Sequence, residues 1–125
     1  MNSTIMVVIS GLLTAFFVFA GSIKILGWQQ MIFETQLEFF KKYGFNRTIM
    51  ALVGLIELFG AVALWFPNYL GIAGILALLG TSAGAIFCHL YFDTWKDGIP
   101  AMVTLTFSIV VLYAKFIALV AVSTS

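Results

Sequence analysis

Between Thr48 and Phe66 the chain carries one ionisable residue, Glu57, in the stretch Ala51-Leu-Val-Gly54-Leu-Ile-Glu57-Leu-Phe-Gly60-Ala61. As a helix this run is about 28 Å long, close to a bilayer hydrocarbon core of about 30 Å. Arg47 anchors one end, and Trp65 with Pro67-Asn68 marks the other. Glu57 then lies near the bilayer midplane, where an ionisable group costs roughly 3 kcal/mol on insertion scales and calls for a partner inside the protein. Gly54, Gly60 and Ala61, three or four residues away, share its side of the helix. Small residues there let a neighbouring backbone approach, so this is the packing face.

Three further apolar runs of spanning length accompany it, at about 4–26, 69–92 and 100–122, with the central one at about 48–66. Only 9% of the 125 residues are charged and 62% are hydrophobic, against about 25% charged in soluble domains. The expected fold is therefore an all-α membrane protein, one domain over residues 1–125, built as a four-transmembrane-helix bundle. The first run follows Met1-Asn2-Ser3-Thr4, which has no basic residue, and is too long for a signal core. It is expected to be a retained helix with Asn2 or Ser3 as N-cap.

From about 28 to 43 the pattern changes. Trp28, Ile32, Phe33, Leu37, Phe39, Phe40 and Tyr43 fall on one half of a helical wheel, and Gln30, Glu34, Glu38, Lys41 and Lys42 on the other. This is an amphipathic interfacial helix between the first and second spans, with Glu38–Lys42 as an i,i+4 pair. Gly44 closes it and Asn46 caps the next helix. Pro100 is expected at the first position of the last helix. Lys24, Lys41, Lys42, Arg47 and Lys96 crowd the loop side, leaving Lys115 near the opposite interface. The excess of positive charge places the loops in the cytoplasm and both termini outside.

Lys24, in the last turn of the first helix, either snorkels to the interface or leans inward. With Glu57 leaning toward the loop side, a buried polar clasp of Lys24 and Glu57 with His89 nearby is expected, made directly or through a water or hydroxyl. A clasp that fixes helix order is favoured over a proton relay, since one carboxylate halfway across does not complete a path. The run Gly71, Gly74, Ala77, Gly80, Ala83, Gly84 signals close packing. Gly80-x-x-x-Gly84 packs either on another helix of the chain or on a second copy, as a homodimer.

No catalytic, cofactor or metal site is expected. One His, one carboxylate and Cys88 do not make a usual ligand set, and a single histidine excludes bis-histidine haem. A lone cysteine excludes a thiol pair, and a net charge of +1 gives no reason to expect nucleic acid.

Phe16-Phe-Val-Phe-Ala-Gly21-Ser-Ile-Lys24, Lys41-Lys-Tyr-Gly44-Phe-Asn46, Gly54-Leu-Ile-Glu57 and Phe87-Cys-His89 resemble, in order and spacing, the DoxX-like four-helix membrane proteins. Within these the chain is most similar to the novel acetylcholine receptor chaperone (NACHO) family. That resemblance implies a non-enzymatic protein of the membrane that helps assemble multisubunit partners such as pentameric ligand-gated channels. In animals the family resides in the endoplasmic reticulum. This chain has no long charged tail before Ser125, which points to a prokaryotic relative in an inner membrane. Besides membrane lipids, the implied partners are transmembrane segments of a client; on the sequence itself, Gly54, Gly60, Gly80, Gly84, Trp28, Phe39 and Phe40 are the candidates for helix packing or partner contact. The wider group is linked to quinone-dependent redox complexes, so a redox accessory subunit is the rival expectation, and a lipid or small-molecule carrier a third.

Overall fold

The computed structural model describes residues 3–124; Asn2, one of the two expected caps, lies outside them. The elements are α1 (Ser3–Leu26), α2 (Gln30–Lys42), α3 (Arg47–Ala63), α4 (Asn68–Phe92), a 3-10 helix (Trp95–Gly98) and α5 (Ile99–Thr124). Among the described residues there is no strand. α1, α4 and α5 with its 3-10 lead-in are each long and apolar enough to cross a membrane. α2 and α3 together pass the same test but meet at a bend of 114°. With 17 residues α3 is roughly 25 Å long.

Local chemistry explains the breaks. Gly27 (φ 67°) and Gly44 (φ 88°) adopt left-handed backbone at the two ends of α2, which costs glycine nothing sterically. Gln29 caps α2 by accepting from the Ile32 amide at 3.0 Å. Asn46 caps α3 by accepting from the Ile49 amide at 2.9 Å. α3 closes earlier than the apolar run suggests: the amides of Leu64, Trp65 and Phe66 turn back onto Gly60, Val62 and Ala63. Asn68 then takes φ 60°, a conformation asparagine tolerates better than most residues. Pro100 is not the first residue of its helix. Thr94 and Asp97 form a reciprocal capping box on the 3-10 turn, which runs straight into Ile99.

α1 packs on α3, α3 on α4 and α4 on α5, while α1 and α5 meet over a much smaller seam. Side chains from all four helices fill the core: Leu13, Phe17, Ala61, Leu64, Ile75, Leu78 and Val111. The α1–α3 and α3–α4 contacts are close because the facing residues are small. A Cβ on Gly54 would lie 2.8 Å from the Gly21 carbonyl oxygen, one on Gly21 would lie 2.9 Å from that of Gly54, and one on Gly60 would lie 2.8 Å from that of Gly74. Gly80 and Gly84 behave differently. Both are exposed, and a Cβ on either meets nothing within 4 Å. The expectation that this pair packs within the chain is therefore not met, because the face of α4 that carries it points outward.

These contacts separate the glycines by experiment. Gly54→Ala should destabilise the protein by about 1–3 kcal/mol through overpacking against backbone. Gly80→Ala should leave stability unchanged or slightly raised, since alanine favours helix. Thermal unfolding of both variants in one detergent checks the contrast.

Candidate functional site

Two polar clusters lie on the described chain. The first joins α1 to α3. Close approach at Gly21 and Gly54 brings Lys24 Nζ to 2.8 Å from Glu57 Oε1, with the side chains 9% and 5% exposed. Buried together, the ammonium and the carboxylate attract each other with little screening from water. Arg47 braces the same end of α1. Its guanidinium donates to the carbonyls of Lys24 (2.7 Å) and Ile25 (2.5 Å) and lies over the Phe33 ring at 4.8 Å. Carbonyls left open at a helix C-terminus favour such a cation. Further along the same interface, Thr14 donates to the Ala61 carbonyl, and the Trp65 indole donates to Thr14. Lys115 donates to the Phe66 carbonyl at 3.3 Å.

His89 does not belong to this clasp. It sits in the second cluster, where α2 ends and α4 runs into its loop. His89 Nδ1 lies 3.0 Å from both Tyr43 Oη and Asp93 Oδ2, and Tyr43 donates to Asp93 Oδ2 at 2.6 Å. Lys42 donates to Asp93 Oδ1. The Asp93 side chain is only 2% exposed. Burial alone would raise its pKa, but donors from Lys42, Tyr43 and His89, with the charge of Lys42, hold it below the usual 3.8. Burial, and then the neighbouring Asp93 carboxylate, push the Tyr43 phenol above its ordinary 10.0, so it remains a donor. The expected Glu38–Lys42 pair is displaced, since a buried carboxylate attracts Lys42 more strongly than an exposed one.

The aromatic residues Phe39, Phe40 and Trp28 of the amphipathic stretch are engaged with the chain's own groups. Phe39 meets the His89 ring edge-on at 5.1 Å, and Phe40 packs near Tyr43 and Phe45. Trp28 turns back to α1, donating to Ser22 at 3.0 Å and meeting Phe19 edge-on, though its ring stays exposed. Asp93 and Tyr43 were not singled out from the sequence as polar partners. The i,i+4 spacing of His89 and Asp93 was the available signal for one contact. Nothing local signals the contact with Tyr43, fifty residues away.

The model of the DoxX-like family matches residues 8–112. The chain belongs to the DoxX-like family. The matched span holds both clusters of this DoxX-like chain, from Lys24 to Asp93, together with Gly80 and Gly84. No curated protein and no solved structure matched in the other comparisons.

Each cluster has its own signature. Glu57→Ala should cost about 3–5 kcal/mol by stranding a buried ammonium, and Glu57→Ala with Lys24→Met should recover part of it. Equal losses that simply add would show that the charges are not coupled; unfolding free energies of the three variants decide it. For Asp93, whose folded pKa is lowered, the stabilisation is complete above the unfolded value and lost as pH falls through the folded one. Acid titration of stability should therefore show a loss beginning near pH 3.8, weaker in Asp93→Asn.

Proposed function

We propose that this DoxX-like protein is a non-enzymatic membrane assembly factor that holds transmembrane segments of a multisubunit client until assembly completes. In this reading all four long helices cross the bilayer, α3 as the short one, and α2 lies in the interface on the cytoplasmic side with both termini outside. The observation that carries it is the outward-facing, open surface at Gly80 and Gly84, which no described residue covers. A helix face of that shape admits a partner backbone closely and without strong polar bonds, which suits contacts that must later release. The buried Lys24–Glu57 pair serves this role indirectly, by fixing α1 on α3 and so giving α4 a firm backing.

The resemblance to the NACHO family supports the same reading and suggests subunits of a pentameric ligand-gated channel as the client class. The inner membrane is the corresponding location in a prokaryote, and the endoplasmic reticulum in a eukaryote.

A second reading, an accessory subunit of a quinone-linked redox complex, is favoured by His89, whose ring is oriented by Asp93 and Tyr43 at the end of a membrane helix. Crosslinking in native membranes, followed by detergent co-purification and partner identification, separates the two. Recovery of oligomeric channel or receptor subunits, reduced several-fold by Gly84→Leu, is the expected result. Recovery of only a redox complex, with saturable quinone binding that His89→Ala abolishes, replaces the first reading with the second. Recovery of only a second copy makes this surface a homodimer contact and removes the client.

A further inference from the structure

We propose that the loop-side cluster of His89, Asp93 and Asp97, with Tyr43 beside it, is a binding site for a first-row divalent transition-metal ion. One donor atom from each of His89, Asp93 and Asp97 lies within 4.8 Å of the others. The inner part is tighter. His89 Nδ1, Asp93 Oδ2 and Tyr43 Oη form a triangle with edges of 3.0, 2.6 and 3.0 Å. Zinc–nitrogen and zinc–oxygen bonds of about 2.1 Å place neighbouring donors about 3.4 Å apart in a tetrahedral site. The nitrogen and oxygen at 3.0 Å are within about 0.4 Å of that spacing, and a small closure of the exposed Asp97 side chain from the 4.8 Å limit of the set completes it.

The chemistry of the donors fits as well. An imidazole with two carboxylates suits zinc or manganese, and imidazole favours zinc over magnesium. Two carboxylates bring two negative charges, and Lys42 on Asp93 Oδ1 offsets one while leaving Oδ2 facing His89. The Asp97 carboxylate is positioned by the Thr94 amide and hydroxyl, both bonded to its Oδ2, so its other oxygen is available. Asp97 is exposed and gives the ion a route from water, whereas Asp93 and His89 are largely covered. Phe39 fixes the imidazole plane by its edge-on contact. On binding, the Nδ1 lone pair goes to the metal, the imidazole proton resides on Nε2, and the Nδ1–Asp93 hydrogen bond gives way. No net proton is released from the ring. Tyr43 keeps its hydrogen and continues to donate to Asp93, which orients the ligand as carboxylate partners commonly are oriented.

The site has a structural consequence. His89 and Asp93 lie at the end of α4, Asp97 in the 3-10 turn, and Tyr43 at the end of α2. An ion there ties the end of α4 to the 3-10 turn, with α2 held to the same point through the Tyr43–Asp93 hydrogen bond.

The test is isothermal titration of Zn2+ into the full, tag-free chain in detergent after chelator treatment, with Mg2+ as the comparison. About one Zn2+ per chain is expected, and no saturable heat from Mg2+. Asp97→Asn, which keeps an acceptor for the Thr94 cap, should weaken Zn2+ binding at least tenfold with the helical content unchanged. His89→Gln should remove binding, and Cys88→Ser should leave it intact. Absence of saturable Zn2+ binding overturns the proposal. So does binding that both Asp97→Asn and His89→Gln leave unchanged, or binding that Cys88→Ser removes, since an adventitious thiol or surface site then accounts for it.

Discussion

The approach of α1 to α3 at Gly21 and Gly54 governs much else in this protein. With any larger side chain at either position the helices stand further apart, and an ammonium and a carboxylate held at 2.8 Å lose contact. In a low-dielectric interior that loss is severe, because attraction between charges is what offsets their removal from water. Two residues without side chains thus set the distance at which two charged ones become tolerable. Arg47 completes the joint from the other direction, drawing the last carbonyls of α1 onto the first turn of α3. The short link through α2 is accommodated because its ends are glycines in left-handed backbone.

Much of this was legible in the residues. Apolar runs of spanning length announce long helices directly. A lone carboxylate in one of them demands a cation, and Lys24 is a cation one helix away whose long side chain can reach toward it. Cap residues and positive-φ glycines are local signals, so Gly44 and Asn46 were readable without knowledge of the fold. The place of His89 in the last turn of its helix was readable too, but not its direction. Whether a residue near a helix end turns toward the bundle centre or toward a loop depends on helix rotation and on partners distant in sequence. Here the buried Asp93 and the end of α2 take it. The outward setting of Gly80 and Gly84 was hidden for the same reason. Small residues lie all around α4, at Gly71, Gly74, Ala77 and Ala83 as well, so composition does not reveal which of them face a neighbour.

The clusters also differ in the work that they can do. Lys24 and Glu57 are enclosed by packed helices as a buried ion pair, an arrangement suited to holding position. The His89 group combines a hydroxyl, an imidazole and carboxylates beside a water-accessible turn, so its members can exchange partners without unpacking the core.

The slight contact between α1 and α5 gives the bundle a beginning and an end. Its helices are joined in a row, α1 to α3 to α4 to α5, and among the described residues the smaller α1–α5 seam is flanked by an apolar groove of about 340 Å³ lined by Leu12, Leu13, Phe16, Pro100, Val103, Thr104 and Phe107. During synthesis each helix in such a row finds its main neighbour as soon as it emerges, with no wait for the far end of the chain. Among the described residues the closing seam is the smallest contact in the row, so the least packing opposes the entry of a lipid chain there.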